Sequence, residues 1–95
     1  MKKVTWEEVR KNFDFSKEEE QEMELEKQII QATIEARKKS NLTQSQLSKI
    51  SGIKQPNIAK LESGARSPQV YTLLKLLVSM GYTLRVVPLE ELKNE

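Results

Sequence analysis

Between Thr43 and Gly64 the chain is punctuated so closely that it leaves room only for two short helices and a tight turn. Thr43-Gln44-Ser45-Gln46 has capping-box spacing: the threonine hydroxyl accepts from the third helical amide while Gln46 reaches back. Gly52 ends that helix after two turns, because glycine enters the left-handed conformation without steric cost. A second short helix is predicted from Gln55 to Glu62, with Pro56 tolerated in its first turn and Gly64 as its stop. Leu47 and Ile50 are expected to face inward, and Leu47, Ile53, Ile58 and Leu61 to pack at the corner.

The flanks of this unit also read as helices. Thr5-Trp6-Glu7-Glu8 opens a short helix to about position 12, which Phe13, Asp14 and Phe15 interrupt. Ser16-Lys17-Glu18-Glu19 is a further capping box, starting a helix over 17–39. Its apolar residues are Met23, Leu25, Ile29, Ile30, Ile34 and Ala36, and Arg37, Lys38 and Lys39 suit its C-terminal end. Asn41 suits a left-handed cap. Ser67-Pro68 is expected to cap and start the last helix, whose Leu73, Leu74, Leu76, Leu77 and Met80 are central to the core before a stop at Gly81. Residues 82–87 change period and predict a single β-strand, followed by Pro88. A lone strand must find a ladder in a second copy or in another protein's sheet edge, and that is preferred here over an extended tail.

The predicted fold is therefore all-α with a C-terminal β-strand: a five-helix bundle with an N-terminal helical extension over 1–23, a core domain over 24–81 and a strand and tail over 82–95. At 95 residues the chain has room for one compact domain, and a partner surface would help to stabilise it. It contains no cysteine and no histidine, which removes thiolate chemistry, the commonest general base and the commonest metal ligand together. No catalytic residue, metal or cofactor is expected. Neither a membrane-length apolar run nor a signal peptide is legible, so a cytoplasmic location and no membrane partner are expected.

Charge is distributed unevenly. Residues 1–35 hold 6 Lys/Arg against 10 Asp/Glu, residues 36–89 hold 9 Lys/Arg against the single acid Glu62, and the last six residues carry a net −2. So one-sided an excess in the middle of the chain favours a polyanionic partner, and nucleic acid is the usual one. On the second short helix the positions not needed for the core are Gln55, Pro56, Asn57, Ala59 and Lys60. Glutamine and asparagine suit adenine and lysine suits guanine, so Gln55, Asn57 and Lys60 are candidate readers of base edges in a major groove of double-stranded DNA. Phosphate contacts are expected from the flanks: Thr43 and Gln44 at a helix start, Lys54 at the turn, and Ser63 and Arg66 in the following loop.

Leu42-Thr43-Gln44-x-x-Leu47, Gly52-Ile53-x-Gln55-x-x-Ile58-x-x-Leu61-Glu62-x-Gly64-x-Arg66-x-Pro68 and Thr72-Leu73-Leu74-Lys75-Leu76 resemble the Xre/Cro family of helix-turn-helix proteins over about residues 36–81. The resemblance implies that Gln44 binds a phosphate, that Gln55, Pro56, Asn57 and Lys60 face bases, and that Arg37 forms a buried structural ion pair with Glu62. Pro56 and Ala59 depart from the hydrogen-bonding residues often found there, so no base preference carries over. Thr5-Trp6-Glu7-Glu8-Val9, the acidic lead-in to Ile34-Glu35-Ala36-Arg37, and Gly81-Tyr82-Thr83-Leu84-Arg85-Val86 are similar to HigA-type antitoxins. That similarity implies a small basic ribonuclease toxin of the RelE/HigB kind as partner, and repression of the chain's own operon. The acidic N-terminal third fits a basic partner. Trp6, Val9, Phe13 and Phe15 are the candidate toxin-binding anchors, or they cap the chain's own core. A homodimer is expected, because one unit makes few base contacts. The alternative is a stand-alone repressor; an enzyme or small-molecule sensor finds no constellation to support it.

Overall fold

A computed structural model describes residues 16–94. The helix expected over 5–12 and the residues Trp6, Val9, Phe13 and Phe15 lie outside the described residues. Four α-helices follow in order: α1 (Lys17–Lys39), α2 (Gln44–Ser51), α3 (Gln55–Glu62) and α4 (Val70–Ser79), with a final 3-10 segment, Leu89–Asn94.

Helix α1 starts at Ser16, whose hydroxyl accepts from the Glu19 amide at 3.2 Å while Glu19 Oε1 accepts from the Ser16 amide at 3.2 Å. The acids Glu18, Glu19 and Glu20 sit in the first turn, and Arg37, Lys38 and Lys39 in the last, so both ends complement the helix dipole. Asn41, at φ 57°, then turns the chain toward α2. Thr43 caps α2 with the same reciprocal geometry, its hydroxyl accepting from the Gln46 amide at 3.1 Å and Gln46 Oε1 accepting from the Thr43 amide at 2.8 Å.

The core forms where α2, α3 and α4 meet the second half of α1. Leu47, Ile58 and Leu76 are the large apolar residues almost wholly out of water, joined by Ile30, Leu61 and Leu73. Ile34, Leu42, Ile53, Met80 and Leu84 close its edges. Thr33 is buried too, but its hydroxyl donates to the Ile29 carbonyl at 2.8 Å, so no polar group is stranded. The buried residues of α1 are Ile30, Thr33 and Ala36. Residues 17–22 are exposed and 23–27 half-buried, so the first turns of the helix run beyond the core as an arm. At about 1.5 Å per residue the whole helix is over 30 Å long.

Three expectations are corrected. Among the described residues there are four α-helices and no strand, so the fold of five helices with a C-terminal β-strand does not hold. Residues 82–88 form no regular secondary structure and no ladder. Their β-branched pattern supplies propensity, but a ladder needs a second backbone alongside. Here the Tyr82 amide instead donates to the Leu77 carbonyl at 2.8 Å, closing α4, while Leu84 packs against the core. Helix α4 begins at Val70 with Gln69 as its N-cap, not at Ser67-Pro68, because the Ser67 hydroxyl turns to Glu26 on α1 at 2.8 Å. Ile50 is 54% exposed, since Ser51, four residues after Leu47, carries the buried stripe and the chain turns away immediately beyond it.

Truncating Leu76 to alanine should lower the unfolding free energy by about 2–5 kcal/mol, because the residue is fully enclosed and its cavity has little means of collapse. Urea unfolding compared with the same substitution at exposed Val78 checks this; equal losses at both positions would contradict the placement of the core.

Candidate nucleic-acid interface

The turn between α2 and α3 is closed by side chains as well as by backbone. Gly52 adopts φ 79° and its amide donates to the Ser48 carbonyl at 2.9 Å. A methyl group there would meet nothing closer than the Lys75 ammonium at 3.9 Å, so the backbone angle, not space, calls for glycine. The Ser48 hydroxyl donates to the Ile53 carbonyl at 2.6 Å, and the Ile53 amide donates to the Ser51 hydroxyl at 3.2 Å. These bonds fix the angle at which α3 leaves α2.

Helix α3 buries Ile58 and Leu61 and leaves Gln55, Pro56, Asn57 and Lys60 exposed. All four expected base-facing residues thus stand in solvent, spread around the outer half of the helix, with Lys54 exposed at its start. Ser63 and Arg66 are exposed in the loop that follows. Asn57, Lys60, Arg66, Ser67, Gln69 and Thr72, with Leu61 and Pro68, line an open cleft of about 230 Å³ of mixed polarity between the end of α3 and the start of α4. Gln69 was not singled out in the sequence, and Thr72 entered only as the first residue of a motif. Their meeting with Lys60 depends on how α4 folds back.

Behind α3 stands the Arg37–Glu62 pair. Arg37 Nε donates to Glu62 Oε2 at 2.7 Å and Nη2 to Oε1 at 2.9 Å, a two-pronged contact, while Nη1 donates to the Leu42 carbonyl at 2.8 Å. The side chains are only 13% and 9% exposed. Gln44 Nε2 also donates to Glu62 Oε1 at 3.0 Å. In this state the Gln44 amide group braces the carboxylate from the start of α2, while exposed Thr43 caps that helix. Sequence reasoning missed the Gln44–Glu62 bond; an isolated acid in a basic segment was the signal that several donors converge on it.

Burial pushes the Glu62 carboxyl up, but hydrogen bonds from Arg37 and Gln44 and the charges of Arg37 and Lys38 outweigh it and hold it below the usual carboxylate range. The Glu62 hydrogen bond raises Arg37, burial opposes this, and the Glu62 charge raises it further. Among the described residues no cluster of metal-ligating side chains occurs, and no helix is long and apolar enough to cross a membrane.

Two short helices set at a stitched turn, the second with a polar outer face in a cationic surround, define a helix-turn-helix DNA-binding unit. Comparison with known proteins names the family. The family model described as Helix-turn-helix matches residues 34–87. An uncharacterized HTH-type transcriptional regulator of Haemophilus influenzae is 45% identical over 75 residues, covering 79% of this chain and 76% of the relative. A solved chain described as a toxin-antitoxin module from Streptococcus pneumoniae is 45% identical, with a TM-score of 0.64, covering 92% of this chain and 96% of that one. This chain belongs to the Xre-type helix-turn-helix family of DNA-binding transcription regulators.

The depressed Glu62 carboxyl has a pH consequence whose sign is fixed. A carboxylate with a lowered folded value contributes stability that is fully present above its unfolded value near 4.5 and is lost as pH falls through the folded value. Glu62→Gln should therefore cost about 3 kcal/mol near neutrality by stranding Arg37, and the gap to wild type should narrow on acidification. Denaturant unfolding at about pH 7 and about pH 3 measures this; a gap that stays constant would mean that the pair does not titrate with folding.

Proposed function

We propose that this chain is the antitoxin of a toxin–antitoxin pair, neutralising a RelE/HigB-like ribonuclease toxin by direct binding and repressing its own operon as a sequence-specific DNA-binding homodimer. One observation carries the proposal: the chain presents a polar, cationic α3 face and, on the first turns of α1, an acidic helical arm. Gln55, Asn57 and Lys60 are the base readers, Pro56 shapes the same face, and Thr43, Gln44, Lys54, Ser63 and Arg66 supply phosphate contacts. Gln44 does so through its helix-start backbone, its side chain being engaged with Glu62.

The arm carries exposed Glu18, Glu19, Glu20 and Glu22 ahead of the first buried residue, Ile30. A ribonuclease that grips an RNA backbone is basic, so opposite charge steers it to this surface. Trp6, Val9, Phe13 and Phe15 are the apolar anchors in this reading, and residues 1–23 form the partner-binding extension of the 24–81 DNA-binding domain. The description of the streptococcal chain as a toxin-antitoxin module supports the assignment. Two copies are required because an eight-residue helix touches few base pairs, and a dimer reads half-sites about 34 Å apart.

Gln55→Ala combined with Lys60→Ala should remove about 1–3 kcal/mol of discrimination per lost base contact. Fluorescence anisotropy at fixed salt, with the duplex upstream of the chain's own gene and a random duplex, reads this. Equal weakening on both duplexes shows that these residues do not read sequence. For the partner, co-expression with the adjacent gene should yield a complex with a small basic protein whose ribonuclease activity is lost on binding. Separate elution of the two products leaves a stand-alone repressor.

A further inference from the structure

The loop over 63–69 carries Arg66 and walls the cleft beside α3. Its first half is held by backbone bonds, from the Gly64 amide to the Leu61 carbonyl at 3.1 Å and from the Ala65 amide to the Lys60 carbonyl at 3.2 Å. Its second half is held differently: the Ser67 hydroxyl donates to Glu26 Oε2 on α1 at 2.8 Å, joining positions 41 residues apart. Glu26 lies at the root of the acidic arm and is half-buried.

This contact runs against simple electrostatics. Glu62, the one acid in residues 36–89, is turned inward to Arg37, so Glu26 brings a carboxylate from another helix to the back of a DNA-facing loop. Alone, that charge could only repel phosphate. As an acceptor it does the opposite, because the hydrogen bond from Ser67 orders a loop whose ordering would otherwise be charged against binding. We propose that Glu26 is a positioning residue for DNA binding, acting through Ser67 to fix the loop that presents Arg66 to the phosphate backbone. This rests on the assignment of Arg66 as a phosphate contact.

The two roles of the carboxylate predict opposite signs. If Glu26 only adds negative charge, Glu26→Ala tightens DNA binding. If it positions the loop, Glu26→Ala and Ser67→Ala each weaken binding to the own-promoter duplex by about three- to tenfold, the worth of one net hydrogen bond. Glu26→Gln, which keeps an oxygen acceptor and drops the charge, binds as tightly as wild type or tighter. The double variant Glu26→Ala with Ser67→Ala is no weaker than either alone, and Ser67→Ala loses its effect in an Arg66→Ala background. The salt slope of binding falls by about one in Ser67→Ala, as it does in Arg66→Ala.

Tighter binding by Glu26→Ala, additive effects in the double variant, or a Ser67→Ala effect that persists without Arg66 each overturn the positioning role. A direct Ser67–phosphate contact would show as a Ser67→Ala loss with no Glu26→Ala loss. If Arg66→Ala itself leaves affinity and salt slope unchanged, the underlying phosphate assignment fails, and this inference with it. Thermal unfolding of each variant by circular dichroism, expected to match wild type because the bond lies at the surface, separates these outcomes from misfolding.

Discussion

The Arg37 guanidinium is the point at which four parts of the molecule are tied together. It is anchored near the end of α1, grips Glu62 at the end of α3 with two bonds, and takes the Leu42 carbonyl in the link to α2 with a third. Gln44, at the start of α2, completes the node by bonding the same carboxylate. A carboxylate on the last residue of a helix opposes the helix dipole, so Glu62 is locally misplaced and stands there only because these donors surround it. The pair contributes little net stability, but the direction of α3 depends on it, because losing either partner strands the other in a nearly dry setting.

With its far end held at this node and its inner face held by Ile58 and Leu61, α3 has no freedom left but to face outward with its remaining side chains. That geometry separates buried from solvent-facing side chains within eight residues. It also makes the polar outer surface independent of the core: Gln55, Asn57 and Lys60 are exposed and can change without disturbing packing. The loop after α3 continues the same surface, and its attachment to α1 through Ser67 means that the acidic arm and the cationic face are mechanically joined rather than merely adjacent.

Local chemistry along the chain announced most of the elements. The capping boxes at Ser16 and Thr43, the left-handed positions at Asn41, Gly52 and Gly64, and the leucine-rich stripe of α4 all act over a few residues, so neighbours suffice to decode them. The helix-turn-helix unit was legible for that reason. The strand over 82–87 was misread because β-propensity states a preference without a partner, and whether a ladder exists is decided by what lies alongside. The start of α4 was misplaced because a hydroxyl that suits a cap found a better acceptor on a distant helix.

The amino-acid order alone thus settled where α1, α2 and α3 lie, most of the residues that seek the interior, and that a cationic middle follows an acidic front. These are properties of short windows and of counts. The folded molecule alone decided that Gln44 braces Glu62, that Ile50 stays in water, that Gln69 and Thr72 join Lys60 around one cleft, and that Glu26 holds Ser67. The exposure of Ile50 apart, these depend on bringing together residues far apart in the chain, and the distance and angle of such a meeting are set by helix packing, which no local pattern encodes.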